Sequence, residues 1–148
     1  MLALYRKYRP QRFADVVSQD HIKRTLQNQV AATTVAHAYL FSGPRGLGKT
    51  TMARLLARIL NCLEVKAGES CGTCLSCVAM NENRHSDVIE IDAASHTGVD
   101  NVRERVIAAA RMPPVEGKYK VFIIDEVHML SASSFGALLK LLEEPPKF

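Results

Sequence analysis

Tryptophan is absent from the sequence, and aromatic residues make up only 6% of its 148 residues. The core must therefore be aliphatic, and an apolar content of 47% is sufficient for one such core. Nothing in the composition indicates disorder, collagen or a coiled coil. No apolar run reaches the length of a signal peptide or a membrane span, so we expect a soluble cytoplasmic protein without membrane contacts.

A large excess of one charge is also lacking, since the net charge is +4. This mild excess is compatible with a polyanionic partner but does not require one. The basic residues of the first twelve positions are nevertheless accompanied by no acid: they are Arg6, Lys7, Arg9 and Arg12. This run is either a solvated start to the chain or a nucleotide or nucleic-acid contact, and charge alone favours the first interpretation.

Strand-like and helix-like segments alternate, which predicts an α/β domain with a mostly parallel sheet and helices on both faces. Strands are predicted at 38–41, 88–91 and 120–124, and helices with apolar faces at 22–30, 52–60, 99–110 and 135–142. Ser18 and Ser131 are the predicted N-caps of the first and last helices. Three strands are few for such a sheet, so we expect the chain to be the front portion of a larger unit.

Residues 43–50 match the pattern G-x-x-x-x-G-K-[ST] between a predicted strand and a strong amphipathic helix. Glycines let successive backbone N–H groups point into one anion-sized hollow at a helix N-terminus. Lys49 can then reach the β- and γ-phosphates, and the Thr50 hydroxyl is placed to bind Mg²⁺. The pattern predicts binding of Mg²⁺-ATP by Gly43, Pro44, Arg45, Gly46, Leu47, Gly48, Lys49, Thr50 and Thr51.

Two adjacent carboxylates, Asp125 and Glu126, follow the most apolar predicted strand. We predict that Asp125 holds Mg²⁺, directly or through water, and that Glu126 orients and deprotonates the attacking water. A base beside the metal ligand suits hydrolysis of ATP better than transfer to a small acceptor. The sequence contains no N-K-x-D tetrad for reading guanine, so GTP is disfavoured, and we assign no role to His128.

All four cysteines lie between positions 62 and 77, as Cys62, Cys71, Cys74 and Cys77. In a cytoplasmic chain this clustering suggests a metal before a disulfide, and four thiolates suit structural, tetrahedral Zn²⁺. A local turn is needed to bring the last three together, and Gly72 could permit it. An iron–sulfur cluster is the second possibility, although the Cys-Pro typical of such runs is missing, and four unligated cysteines are the third.

Together these motifs resemble the gamma/tau family of bacterial DNA polymerase III, the AAA+ ATPases of the sliding-clamp loader. The resemblance covers essentially the whole chain, which would be the N-terminal part of an AAA+ ATPase domain with a P-loop, RecA-like fold and a zinc-binding insert at 61–86. Besides the phosphate loop and the cysteines, it depends on segments 8–10, 13–17, 37–43, 90–95, 124–130 and 142–146.

The resemblance implies ATP on the loop from Gly43 to Thr50, Mg²⁺ near Thr50 and Asp125, catalysis by Glu126 and Lys49, and zinc on the four cysteines. It places Arg9, Pro10 and Val17 near the adenine, and the region Ser95-His96-Thr97 near DNA. The implied partners are other clamp-loader subunits in a hetero-pentamer, the sliding clamp and primer-template DNA.

The family continues beyond the residues present here, into a sensor residue, an arginine finger, a helical lid and a collar. We therefore expect residues 1–148 alone to bind ATP weakly and to hydrolyse it poorly. Two alternatives to a clamp-loading ATPase are a branch-migration or helicase motor, which the cysteine module disfavours, and a non-hydrolysing nucleotide- and zinc-binding module that recruits partners.

Overall fold

The computed structural model describes residue 4, residues 8–95 and residues 103–148, with the side chains of 103–105 excepted. The chain forms two compact units, one of Met1–Ala36 with Leu40–Asn83 and the other of His37–Tyr39 with Arg84–Phe148. The phosphate-loop motif and the cysteines belong to the first unit. The acidic pair at 125 and 126 belongs to the second unit.

The first unit consists of helices, joined by the loops that carry its motifs. Helix α1 is Asp20–Ala31, α2 is Lys49–Asn61 and α3 is Leu75–Asn81. Helix α2 packs against both of the others. Its apolar face is buried as its periodicity predicts, with Met52, Leu55, Leu56 and Ile59 in the core. The N-terminal segment and the two other helices contribute Phe13, Leu26, Cys77 and Ala79.

The second unit is built on a two-stranded parallel sheet of β1, Val88–Asp92, and β2, Val121–Asp125, with Val88 opposite Val121 and Asp92 opposite Asp125. A π-helical segment, Arg103–Ala108, contacts helix α4, Ala132–Glu143. The buried cluster of this unit consists of Ile91, Ala93, Val106, Leu130 and Leu138. This unit confirms the mixed α/β class and the parallel pairing.

The predicted strand at 38–41 is wrong. In the described ranges the sheet consists of β1 and β2, residues 38–41 are irregular, and Leu40 is 81% exposed. A short apolar run becomes a strand only when a neighbouring strand pairs with it, and apolar content alone does not supply that neighbour. The predicted placement of helices on both faces of a larger sheet stays a prediction.

The predicted cap at Ser18 is also wrong, because Ser18 and Gln19 both have left-handed backbone angles, with φ of 65° and 59°. An N-cap serine normally has extended backbone, and here Gln19 is the cap residue and α1 begins at Asp20. Ser131, by contrast, caps α4 as predicted: its hydroxyl accepts a hydrogen bond from the N–H of Ser134 at 3.2 Å.

Part of the predicted third helix, including Val99, Asp100 and Val102, lies outside the described residues. Of its predicted face, Val106 and Ala110 are buried as expected. Helix α3, inside the cysteine-rich stretch, was not predicted, since the periodicity of this stretch is weak. No helix in the described ranges is long and apolar enough to cross a membrane.

Candidate nucleotide and metal sites

The phosphate-loop motif lies at the N-terminus of α2, which begins at Lys49 directly after the cap residue Gly48. Gly43, Gly46 and Gly48 have φ of 138°, 90° and 81°, values that residues with a Cβ rarely adopt. The loop therefore has the conformation for which its glycines are required. The first N–H groups of any helix lack intrahelical acceptors, so this end presents donors and a partial positive charge.

The ammonium group of Lys49 lies across the mouth of this loop. Its Nζ atom donates hydrogen bonds to the carbonyl oxygens of Gly43 and Pro44, each at 2.9 Å. The residues from Gly43 to Leu47 are exposed, and Gly48, Lys49 and Thr50 are half-buried. The loop thus combines a cation, a helix N-terminus and access from solvent, which is the chemistry of a polyphosphate site.

The residues predicted to lie near the adenine belong to the first unit, like the phosphate-loop motif. Arg9 and Pro10 are half-buried, and Val17 is 90% exposed. Between them, Phe13–Asp15 forms a single 3₁₀ turn. Lys23 of α1 donates from Nζ to the carbonyl oxygen of Val16 at 2.8 Å and so holds the end of this segment.

Asp125 is the last residue of β2, and Glu126 follows it in the left-handed conformation, with φ of 51°. The Glu126 N–H donates to the Asp125 carboxylate at 3.1 Å, and its carbonyl oxygen accepts from Met129 N–H at 2.8 Å. The side chain of Glu126 is exposed and lies 3.5 Å from Nδ1 of His128. The tight turn at the strand end therefore presents both carboxylates at the carboxyl edge of the sheet.

The segment predicted to face DNA is described only at its first residue. Ser95 donates from its hydroxyl to the carboxylate of Asp92 at 2.6 Å, in the turn that ends β1. His96 and Thr97 lie outside the described residues.

The four cysteine Sγ atoms lie within 4.8 Å of one another. Cys62 directly follows α2, Cys71 and Cys74 flank a turn in which Gly72 has φ of 78°, and Cys77 lies in α3. The predicted local turn at Gly72 is confirmed. Backbone N–H groups already point at two of the sulfurs, since Cys71 N–H donates to Cys62 Sγ at 3.2 Å and Cys74 N–H donates to Cys71 Sγ at 3.3 Å.

The thiols differ in their ease of ionisation. Backbone N–H donors of Thr73 and Cys74 lower the pKa of Cys71 to about 6. Burial raises the pKa of Cys77 to about 12 and also raises the pKa of Cys62. Soft sulfur ligands gathered at one point, with backbone donors directed at them, could bind a metal ion.

Two residues that connect the cysteine insert to its surroundings were not predicted from the sequence. Glu69 accepts from the backbone N–H groups of Phe13 and Ala14, each at 2.9 Å. Arg58, only 4% exposed, donates to the carbonyl oxygen of Cys77 at 3.1 Å and to that of Gln11 at 3.3 Å. The sequence signal for Arg58 is its position among the apolar residues of α2, and Glu69 has no such signal.

Comparison with known proteins decides the family. A family model described as "DNA polymerase III, delta subunit" matches residues 18–148. The chain belongs to this family.

The chain is similar to the DNA polymerase III subunit tau of Bacillus subtilis, which is 53% identical over 98% of this chain. The DNA polymerase III subunit gamma/tau of Mycobacterium tuberculosis is 52% identical over 99% of the chain, and the subunit tau of Escherichia coli is 51% identical over 97%. The chain spans 26%, 25% and 22% of these relatives, respectively, or about a quarter of their length. The resemblance inferred from the motifs is thereby confirmed.

Proposed function

We propose that the protein is the ATP-binding and ATP-hydrolysing subunit of a bacterial clamp loader within the DNA polymerase III holoenzyme. It would couple ATP to the loading of the sliding clamp on primer-template DNA, as one subunit of a hetero-pentamer. Support comes from relatives named DNA polymerase III subunit tau and gamma/tau, and from a loop suited to polyphosphate.

The observation that carries the proposal is the position of the Lys49 ammonium, 2.9 Å from two carbonyl oxygens of its own loop. Phosphate oxygens would replace these neutral acceptors, and hydrogen bonds between charged partners are the stronger kind. In this proposal Gly43 to Thr51 surround the phosphates, while Arg9, Pro10 and Val17 contact the adenine. The exposed apolar side chain of Val17 suits the face of a base.

Mg²⁺ would be held by the Thr50 hydroxyl and by Asp125. The metal would neutralise charge that develops on the phosphates during hydrolysis. Glu126 would accept the proton of the attacking water, and its exposed carboxylate at the end of β2 is accessible for that role. Asp125 also fixes the turn, because its carboxylate accepts the Glu126 N–H.

We also propose that the metal on the four cysteines is zinc with a structural role. Tetrahedral zinc with Zn–S bonds of about 2.3 Å separates its sulfurs by about 3.8 Å. The observed separations, all within 4.8 Å, require only small side-chain adjustments to reach this geometry. Four sulfur ligands leave no open position on the ion, so zinc would stabilise the insert and take no part in hydrolysis.

A nucleotide titration tests the phosphate site. Lys49→Ala in the full chain should abolish binding of labelled Mg²⁺-ATP, because it removes the cation at the loop. Lys140→Ala, which removes an exposed lysine from α4, is the matched control and should bind like the wild type. Equal binding by Lys49→Ala and wild type would overturn the assignment of the loop.

Hydrolysis is tested separately with Glu126→Gln in the full-length context and not in residues 1–148 alone, assayed with DNA and clamp present. Binding of ATP should persist while turnover falls by about 10² or more, the usual size of a general-base contribution. Glu143→Gln, an exposed change of the same kind in α4, should retain turnover. Unchanged turnover in Glu126→Gln would overturn its role, and a wild type that binds ATP without hydrolysing it would favour the recruiting module instead.

A further inference from the structure

The cysteine insert is joined directly to the N-terminal segment, residues 9–17, that the proposed function places beside the adenine. The joining residue is Glu69, which lies 55 to 56 positions away from its partners in the sequence. Its two carboxylate oxygens accept one hydrogen bond each from Phe13 N–H and Ala14 N–H, at 2.9 Å. A carboxylate at the start of a helical turn is a strong, charge-assisted cap.

The turn that presents Glu69 is closed by backbone hydrogen bonds. Ala67 and Gly68 both have positive φ, 50° and 74°, and Lys66 and Glu69 exchange backbone hydrogen bonds across them. Gln27 of α1 donates to the Gly68 carbonyl at 3.0 Å and to Glu69 Oε1 at 3.1 Å. The Glu69 carboxylate is therefore held in place from two sides, two residues before the first cysteine of the C-x₂-C-x₂-C run.

Arg58 makes a second and independent connection. Its guanidinium donates to Gln11 on one side, and to the Cys77 carbonyl and the Asn81 side chain on the other. The N-terminal segment is thus tied to the cysteine insert at Gln11 through Arg58, and at Phe13 and Ala14 through Glu69.

Helix α2 completes the arrangement because it joins both sites covalently. It begins at Lys49 of the phosphate loop and ends at Asn61, next to Cys62. The insert is therefore fixed to the far end of the phosphate-loop helix and also to the segment before it. A metal on the cysteines would hold together the elements that carry Glu69 and the Cys77 carbonyl.

We infer that the metal-loaded cysteine insert positions the N-terminal segment through Glu69 and Arg58, and so sets the affinity for the adenine of the nucleotide but not for its phosphates. This inference rests on the proposed function for its nucleotide part. Glu69 and Arg58 are positioning residues in it, and neither touches the nucleotide.

The test compares Glu69→Gln with wild type in the full chain, loaded with zinc. The glutamine amide would direct its NH₂ group either at the Phe13 N–H or at the Ala14 N–H and the Gln27 amide, so at least one hydrogen bond is lost while the cysteines are retained. Glu64→Gln is the matched control, because Glu64 lies in the same insert and its carboxylate pairs only with exposed Lys66, at 3.5 Å, among the contacts described. Zinc content, measured in all three proteins, should be equal.

The first readout is hydrogen exchange at the Phe13 and Ala14 amides, without nucleotide. Exchange should quicken about tenfold in Glu69→Gln and after removal of zinc by a chelator, and stay at the wild-type rate in Glu64→Gln. If neither Glu69→Gln nor zinc removal changes the exchange rate of these two amides, the positioning role is overturned.

The second readout is binding of ATP against binding of inorganic tripolyphosphate. Glu69→Gln should weaken ATP by about tenfold and leave tripolyphosphate within about twofold of wild type. Equal weakening of both ligands would overturn the inference. A wild type that binds neither ligand would instead overturn the proposed function, and hydrogen exchange would still decide whether the insert holds the segment.

Discussion

The carboxylate of Asp87 accepts a hydrogen bond from the backbone N–H of Gly117 at 2.7 Å. The same side chain also accepts from the N–H groups of Val115 and Glu116, and Lys120 lies 4.0 Å away. Asp87 is fully buried and directly precedes β1, so it fixes the loop that leads into β2. The buried Asp87 carboxylate thereby fixes the residues that lead into both strands.

Asp87 gives a prediction for stability and its pH dependence. Burial opposes ionisation of Asp87 most strongly, but the three N–H donors and Lys120 outweigh it and hold the pKa of the carboxyl below its ordinary 3.8. A lowered folded-state pKa contributes stability that is present above the ordinary value and is lost as the pH falls through the folded-state pKa. Asp87→Asn should lower the free energy of unfolding by about 2–4 kcal/mol at neutral pH.

Urea denaturation at several pH values measures this effect. The difference between wild type and Asp87→Asn should begin to shrink as the pH falls below about 4, because the carboxyl is then protonated first in the unfolded state. The loss is complete only below the folded-state pKa, where both proteins have a neutral side chain at this position. Glu143→Gln, an exposed change of the same charge, should differ little from wild type at any pH. A difference that is constant from pH 7 to pH 3 would contradict the role assigned to the ionised carboxylate.

Arg58 gives a second stability prediction. Arg58→Met keeps much of the buried stem but leaves the carbonyl oxygens of Gln11 and Cys77 without their donor. We expect a loss of about 2–4 kcal/mol in the free energy of unfolding, measured by denaturation with zinc in excess. Arg24→Met, at an exposed position of α1, should change stability by less than about 0.5 kcal/mol. Similar losses in both variants would contradict the role of the buried Arg58 hydrogen bonds in stability.

The cysteines should differ in reactivity once the metal is removed. Because thiolates are the reactive form, Cys71 with a pKa of about 6 should be alkylated first at pH 7, and Cys77 with a pKa of about 12 should be alkylated last. Mass spectrometry after a short iodoacetamide pulse identifies the modified sites. Zinc should protect all four thiols, and preferential labelling of Cys77 in the folded metal-free protein would contradict the order.

Two glycines should respond oppositely to alanine. Gly43 has φ of 138°, and a Cβ there would lie 3.0 Å from Leu47 Cδ1, so Gly43→Ala should distort the loop and weaken ATP binding by about tenfold.

Gly136 lies inside α4 with nothing within 4 Å of an added Cβ, so Gly136→Ala should raise the free energy of unfolding by about 1 kcal/mol. Nucleotide titration and urea denaturation measure the two effects.

The features predicted correctly from the sequence have local causes. The glycine pattern before Lys49 and the apolar spacing along α2 are each specified within a few residues, and so is the serine cap at the start of α4. The clustering of the four cysteines could be predicted in the same way, because it requires only short spacings and a turn at Gly72. These signals do not depend on what packs against them.

The features that were missed have distant causes. The run at 38–41 has the composition of a strand, yet pairing with a second strand is what makes one. Glu69 reaches partners 55 to 56 residues away, and Asp87 caps a loop 28 to 30 residues away. A glutamate or aspartate in a loop has no local pattern that names such a partner.

The sequence by itself determined the glycine loop before Lys49, the clustering of the four cysteines, the parallel α/β class and the family, because each of these is encoded in short spacings or in overall similarity. Only the tertiary structure decided that Glu69 and Arg58 connect the cysteine insert to the N-terminal segment, and that Asp87 is a buried anion bonded to the loop before β2. The physical reason is that a backbone N–H can donate to, and a carbonyl oxygen can accept from, a partner anywhere in the chain, so packing and not the neighbouring sequence decides which partner it has.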